Sequence, residues 1–313
     1  MLTSNFTFLS NDNVTAVHAV KWTPDSGEYK AILQITHGMV EYIERYQAFA
    51  EFLTDKGYMV VGHDHIGHGQ SLASADKLGY FCEGSPSDVL VEDMHKLRNL
   101  IQEENPDVPY FMMGHSMGSF LLRKYLAFHG EKLRGAVIMG TGFIPENMTS
   151  LALMLTGVVA KIRGQMHRSK LIQSLAFGAD YKDFDMTGGK PEDSWLTKDV
   201  QIVNAYYADP KCGYMFTVNG YKGLFEAVNY SCNAENAARL PKKLPLFVVS
   251  GAQDPVGGLG KGVKDVYDMY KACGMLDLTY KLYENDRHEI LNETDRQNVY
   301  EDILAWMNVR IDT

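Results

Sequence analysis

Tyr110-Phe111-Met112-Met113-Gly114-His115-Ser116-Met117-Gly118-Ser119-Phe120-Leu121-Leu122 decides how the chain is read. The apolar run 110–113 predicts a buried strand, and Phe120, Leu121, Leu122, Tyr125 and Leu126 recur at helical spacing beyond it. Between them lies G-x-S-x-G. Where a strand passes directly into a helix, a serine at the turn is held in a strained backbone conformation with its hydroxyl projecting from the sheet edge. Strand and helix then approach so closely that the positions two before and two after the serine tolerate almost no side chain, and Gly114 and Gly118 supply that. The helix N-terminus that follows favours developing negative charge. Ser116 is the candidate nucleophile.

On both sides of this turn, short apolar runs alternate with helical patterns. Residues 6–9 and 14–22 predict two antiparallel strands. Residues 31–36, 58–62, 136–140, 245–250 and 278–283 predict further strands, and 42–56, 87–103, 262–273 and 294–309 predict helices. This alternation implies an α/β fold, a mostly parallel central sheet with helices on both faces. From Pro145 to about Val218 the alternation stops, for roughly 70 residues, too long for a plain loop. That stretch holds an apolar helical segment (Leu151, Leu153, Met154, Leu155, Val158, Val159), a Gly188-Gly189 turn and a polar helix near 199–207. It predicts an inserted helical cap at 145–218 on a core made of 1–144 and 219–313.

Composition narrows the class. Of 313 residues, 45% are hydrophobic and 22% charged, which excludes a disordered chain, a collagen-like fibre or a coiled coil. Thirty Lys+Arg against 39 Asp+Glu give a formal charge of −9, the opposite of a nucleic-acid footprint. The same charge repels anionic lipid headgroups, so membrane contact would have to be apolar or local. Cys82, Cys212, Cys232 and Cys273 show no C-x-x-C spacing and read as free thiols of a reducing compartment. The first residues lack a basic segment followed by an apolar one, and no run of 18 apolar residues occurs, so a cytoplasmic protein is expected.

A serine hydroxyl needs a base, and the base needs an orienting acid. In strand-turn-helix enzymes of this kind the order is serine, acid, histidine, each on a loop after a later strand. Strand 246–250 runs into Gly251-Ala252-Gln253-Asp254-Pro255, and strand 278–283 into Glu284-Asn285-Asp286-Arg287-His288-Glu289. His288 is the candidate base and Asp254 its orienter, with Glu284 and Asp286 as rival acids on the histidine's own loop. His115, inside the elbow, is expected to point away from the site. His63-Asp64-His65-Ile66-Gly67-His68 is dense in metal-ligand types, but the spacing is wrong for a binuclear site; no metal is expected, and Asp64 and His65 should order a loop that Gly67 and Gly69 let turn. His37-Gly38-Met39 follows strand 31–36, where a backbone N–H joins that of the residue after the nucleophile to bind an oxyanion. Met39 and Met117 are the candidate donors.

These residues resemble a known family. His37-Gly38-Met39-Val40-Glu41-Tyr42-Ile43-Glu44-Arg45-Tyr46 is similar to the H-G-x-x-E-H-x-x-R-Y segment of monoacylglycerol lipases and lysophospholipases of the α/β-hydrolase superfamily. Asp64-His65-Ile66-Gly67-His68-Gly69-Gln70-Ser71 resembles their D-x-R-G-H-G-x-S, and the elbow, acid and histidine segments follow in register. The segments around Trp195 and Asp209 resemble the return from cap to core in bacterial members. Tyr42, Ile66 and Ser119 depart from the family's His, Arg and Gly. The resemblance implies an α/β-hydrolase core with a cap, no cofactor, and small-molecule ester substrates with one acyl chain: monoacylglycerols, lysophospholipids or short acyl esters. An amidase or aminopeptidase would use the same three side chains, with cap carboxylates (Asp180, Asp183, Asp185, Glu192, Asp193) holding a free amine.

Substrate contacts are expected from His37 and Gly38 and from Met148, Leu151 and Leu155 on the cap helix. That helix either packs its apolar side on the core or lines an acyl tunnel and offers an apolar edge to a micelle or membrane. Lys161, Arg163, Arg168 and Lys170 would sit at such an edge or form a solvated face.

Overall fold

The computed structural model describes residues 1–311. Eight strands form one sheet: β1 (Leu2–Leu9), β2 (Ala16–Thr23), β3 (Ala31–Thr36), β4 (Tyr58–His63), β5 (Tyr110–His115), β6 (Gly135–Met139), β7 (Leu246–Gly251) and β8 (Leu278–Tyr283). Their order is β1-β2-β4-β3-β5-β6-β7-β8. β1 and β2 pair antiparallel, as does β2 with β4, and the remaining ladders are parallel.

Alternation of side chains across the pleat builds two cores from the same strands. Leu33, Ile35, Phe111, Met113, Val137, Val249 and their neighbours face one side, with Phe49, Ala50 and Leu53 of α1 (Gln47–Asp55) and Val299, Ile303 and Trp306 of α10 (Arg296–Asn308). Ile32, Met59, Met112, Ile138 and Val248 face the other, under α2 (Pro86–Glu104), α3 (Met117–His129) and α9 (Lys261–Ala272). Gln34 sits inside this second core with both ends of its amide used: Nε2 donates to Met94 O at 3.0 Å, and Tyr110 Oη donates to Oε1 at 2.6 Å.

Between β6 and β7 the chain runs through α4 (Glu146–Arg163), α5 (Lys170–Ala176), α6 (Val200–Ala208), α7 (Val218–Ser231) and α8 (Ala234–Ala237). α7 packs on both α3 and α4 and so joins the insertion to the core. α4 is longer than its apolar segment predicts and packs on the core through only part of its apolar surface, Leu153, Leu155 and Val159. Its buried residues are the small Thr149, Ala152 and Thr156, whereas Met148, Leu151, Met154, Val158 and Ile162 are exposed. Arg168 is held by the carbonyls of Leu78 and Met215 rather than standing free on a charged face.

The sheet order reverses at β3, which pairs with β4 on one side and β5 on the other. Loops leaving the carboxyl ends of such neighbouring strands diverge and open a crevice. The site lies there.

Candidate active site

Ser116, between β5 and α3, has φ 55° and ψ −124°, the strained turn the sequence predicts. Its N–H donates to Met139 O at 3.0 Å, tying the turn to the end of β6. A Cβ on Gly114 would stand 2.4 Å from Gly118 O, and one on Gly118 only 2.1 Å from Thr36 O, so both glycines are required by close backbone approach. Ser119, where the family has glycine, donates from Oγ to Ser116 O at 2.6 Å.

The loops after β7 and β8 bring Asp254 and His288 together. His288 Nδ1 is 3.0 Å from each carboxylate oxygen of Asp254. Ser250 Oγ and Val256 N–H also donate to that carboxylate, at 2.9 and 2.8 Å. Burial alone would raise the Asp254 pKa, but His288 and these two donors hold it below the usual carboxylate range. An ionised Asp254 only accepts, so Nδ1 carries the proton and Nε2 is left as the basic nitrogen. No hydrogen bond joins Nε2 to another described residue, and the ring borders the same cavity as Ser116. Neither Glu284 nor Asp286 bonds to His288: Glu284 is exposed, and Asp286 is buried with one carboxylate oxygen unpartnered.

Gly38, Met39 and Met117 border this cavity too, and Gly38 abuts the nucleophile, since its Cβ would lie 3.0 Å from Ser116 Cβ. The N–H groups of Met39 and Met117 meet no acceptor among the described residues; Met117 opens α3, where an N–H has no partner within the helix. His37, expected to touch substrate, is fully buried and does not border the cavity. Its Nε2 accepts from His65 N–H at 2.9 Å, so Nδ1 is the protonated nitrogen and donates to Gly38 O at 2.8 Å. In a trans peptide the N–H points opposite to the carbonyl, so His37 fixes the direction of the Met39 N–H.

Beneath this loop lies a charged network that the motifs alone did not reveal. Glu41 accepts from Gly38 N–H at 2.5 Å, Tyr46 Oη at 2.9 Å and Arg45 Nη1 at 2.7 Å. Arg45 also grips both oxygens of Glu289 at 2.7 Å and stacks 4.9 Å over the Tyr206 ring of α6. In sequence, Glu41 and Arg45 look like an ordinary i,i+4 surface pair; only Glu289, far along the chain, makes them a bridge between two loops. His115 belongs to this network. It does not point away but lies against His288, ring centroids 4.6 Å apart, because Gly140 (φ 58°) leaves room for both rings. Trp195 covers another side of His288, with centroids 4.9 Å apart and planes at 28°. The chain around Trp195 is pinned there by His288 N–H and Glu289 N–H donating to Trp195 O and Leu196 O. Tyr42, in place of the family's His, donates to Asp209 Oδ2 at 2.7 Å and ties the loop to the end of α6.

The cavity holds about 600 Å³. Phe120, Phe143, Met148, Leu151, Leu224 and Phe225 make one part apolar, while Asp180, Lys261 and Asp265 make another part polar. Met148 and Leu151 thus stand where expected. Leu155, one turn further along α4, packs against the core instead of the cavity. Of the cap carboxylates, Asp180 borders the cavity.

Among the described residues, His18, Glu44 and Asp64 bring ligand-type atoms within 4.8 Å of one another. The Asp64 oxygens are already taken: Oδ1 accepts from Ile43 N–H, and Oδ2 accepts from Gln70 N–H and faces His18 Nδ1 at 3.1 Å. That is the bonding of a loop anchor, and a Cβ on Gly69 would strike the same carboxylate at 2.2 Å.

The model of the serine aminopeptidase, S33, family matches residues 27–295. The chain belongs to this family of α/β-hydrolases. Members similar to it include monoglyceride lipase of Mus musculus, 27% identical over 93% of this chain and 86% of that protein. Monoacylglycerol lipase of Mycolicibacterium smegmatis is 27% identical over 97% of this chain and 96% of that one. Among solved structures, a thermostable carboxyl esterase from Bacillus coagulans in complex with glycerol superposes with a TM-score of 0.90, at 29% identity and 99% coverage of both chains.

Proposed function

We propose that the protein is a serine hydrolase of carboxylic esters carrying one acyl chain: monoacylglycerols, lysophospholipids or short-chain esters. The observation that carries this reading is the buried Asp254–His288 pair, 3.0 Å apart, whose ring borders the same largely apolar cavity as Ser116. Ser116 Oγ bonds to the acyl carbon while its proton passes to His288 Nε2, and the carbonyl oxygen becomes an oxyanion held by the Met39 and Met117 N–H groups. The bond to the leaving alcohol breaks as Nε2 returns the proton to it. Water, deprotonated by the same nitrogen, then adds to the acyl carbon and releases the acid and Ser116. Asp254 holds the ring in the required tautomer.

Residues 145–218 act as the cap in this reading. Met148 and Leu151 contact the acyl chain, and the apolar edge of α4 meets micelles or membranes from which substrate is drawn. The relatives' names support ester cleavage. The family's description and the position of Asp180 at the cavity favour a second reading, cleavage of aminoacyl amides with the amine held by Asp180. The apolar lining favours the ester.

Ser116→Ala is expected to abolish turnover of p-nitrophenyl esters and labelling by a fluorophosphonate while the circular dichroism spectrum is unchanged. Retained turnover removes Ser116 from the mechanism, and a wild-type protein that is not labelled is a ligand-binding scaffold rather than an enzyme. Parallel assays with monoacylglycerols, lysophosphatidylcholines and aminoacyl amides separate the two readings.

A further inference from the structure

We propose that His115 is a charged imidazolium that locks the Gly38 loop and the His288 loop together, a positioning residue for the reaction proposed above. The argument rests on which atoms face its two ring nitrogens. Nε2 is 3.2 Å from the carbonyl oxygen of His288, which can only accept, so Nε2 carries a hydrogen. Nδ1 is 3.1 Å from Tyr46 Oη and 3.4 Å from Glu41 Oε1. The one phenolic proton of Tyr46 is committed to Glu41 Oε1 at 2.9 Å, so the oxygen turns a lone pair to Nδ1. Both nitrogens therefore face acceptors, and both carry hydrogens.

Charge balance points the same way. Glu41 and Glu289 are two buried carboxylates, and Arg45 supplies one positive charge. An unbalanced charge in such a place is strongly unfavourable, and the His115 cation makes two against two. The groups facing the ring are Glu41, Arg45 and Tyr46 from the segment after β3, and His288 and Glu289 from the loop after β8. His37, also near Glu41, is neutral by its own hydrogen bonds. Burial opposes the charge on His115, but Glu41, Glu289 and the His288 carbonyl outweigh it and raise its pKa above the ordinary histidine value.

One consequence follows for catalysis. The Glu41 oxygen that faces His115 also accepts the Gly38 N–H, so the same ring registers the Met39 oxyanion donor and the main chain of the base.

The test uses the full-length protein labelled with ¹⁵N-histidine. At pH 8 the His115 ring, assigned by its loss in His115→Gln, is expected to show both nitrogens in the imidazolium range. In His115→Gln the kcat for a p-nitrophenyl ester is expected to fall about tenfold with KM within twofold of wild type, because the Met39 donor loop and the main chain of His288 lose their common tie. Fluorophosphonate labelling of Ser116 should persist. A neutral His115 at pH 8 overturns the proposal, as does a kcat that stays put in a folded, labelled variant. If His115→Gln does not fold, the wild-type spectrum decides: ten histidine rings all neutral at pH 8 overturn it. Wild-type protein that is not labelled defeats the reading of Ser116, yet leaves the ring nitrogens of His115 to be judged separately.

Discussion

α3 and α4 border the same cavity and could hardly be built more differently. α3 buries ten consecutive residues, 117–126, with Arg123 and Lys124 among them, and every polar head finds a partner: Arg123 holds the carbonyls of Gly142 and Ser231, and Lys124 the hydroxyl of Ser87. α4 fully buries only Thr149, Ala152 and Thr156 and leaves many of its large apolar side chains open, with Met148 60% and Ile162 74% exposed. Leu153, Leu155 and Val159 pack partly on the core, so the helix is apolar on its inner side and on its exposed side alike. Exposed apolar side chains in a contiguous stripe mark an interaction surface, and the function proposed above gives them acyl chains to meet. In the function proposed above, the core holds the reacting groups and residues 145–218 offer the apolar surface. Chemistry should therefore be fragile to core substitutions and indifferent to those on the cap's outer face.

The sharpest break of that contrast is at the base. Asp254→Asn keeps the shape but lets the His288 ring adopt the wrong tautomer, and kcat for p-nitrophenyl esters is expected to fall about 10⁴-fold. A variant within tenfold of wild type would remove Asp254 from the mechanism. Next comes the elbow's backbone. The Cβ of Gly118→Ala would meet the carbonyl oxygens of Thr36 and His37 at 2.1 and 2.5 Å, backbone atoms with little freedom to give way. Unfolding in urea is expected to show a loss of about 3 kcal/mol.

The parts of the site that were legible in the sequence share one property: each is written in a few adjacent residues. The elbow and the acid follow strands whose apolar runs mark them as buried, and the histidine follows the edge strand β8, so a parallel sheet brings their loops to one edge whatever else the chain does. What was not legible depends on contacts across the chain. Nothing near Glu41 says that Glu289 shares its arginine, and nothing near His115 says that the His288 carbonyl lies above its Nε2. His37 and Leu155 sit in the right segments but one position or one turn out of the cavity, a distinction that residue type does not carry. The facing of α4 was equally hidden, because a helix apolar on several sides has no periodic signal to choose among them.

Burial in the core also makes a pH prediction with a definite sign. His63, His65 and His68 are fully buried, and burial pushes His63 and His68 down to about 3 and His65 well below the ordinary value. Unfolded histidines take up protons near pH 6.5, so between 6.5 and about 3 the unfolded state binds more protons and the fold loses stability as pH falls. Each histidine contributes a slope of up to about 1.4 kcal/mol per pH unit. Asp93 and Asp286, pushed up to about 6 and about 7 by burial, act in the opposite sense, since their folded forms hold protons that the unfolded chain releases above the ordinary carboxylate range, and so does His115, raised above the ordinary histidine value. Urea titrations at pH 7.5 and 5.5 isolate one member of the trio: His63→Gln should lose less stability on acidification than wild type. A slope unchanged in that variant would place the acid sensitivity elsewhere.

The smallest effect on the fold should come from the outer face of α4. Ile162→Ser removes a side chain that is 74% exposed and touches little, so its unfolding free energy should lie within about 0.5 kcal/mol of wild type. Turnover of a soluble short-chain ester should not change either, because Ile162 lies well along the helix from the cavity-lining Met148 and Leu151. Turnover of a long-chain monoacylglycerol presented in neutral phospholipid vesicles should fall, since each apolar side chain lost from a lipid-facing edge weakens partitioning by an amount set by its buried area. Met154→Ser should do the same, and the two together should do more, because they lie along one exposed stripe. Equal losses on soluble and vesicle-borne ester would instead place the stripe's influence inside the cavity. No loss on either would leave the exposed face of α4 without a role in substrate capture.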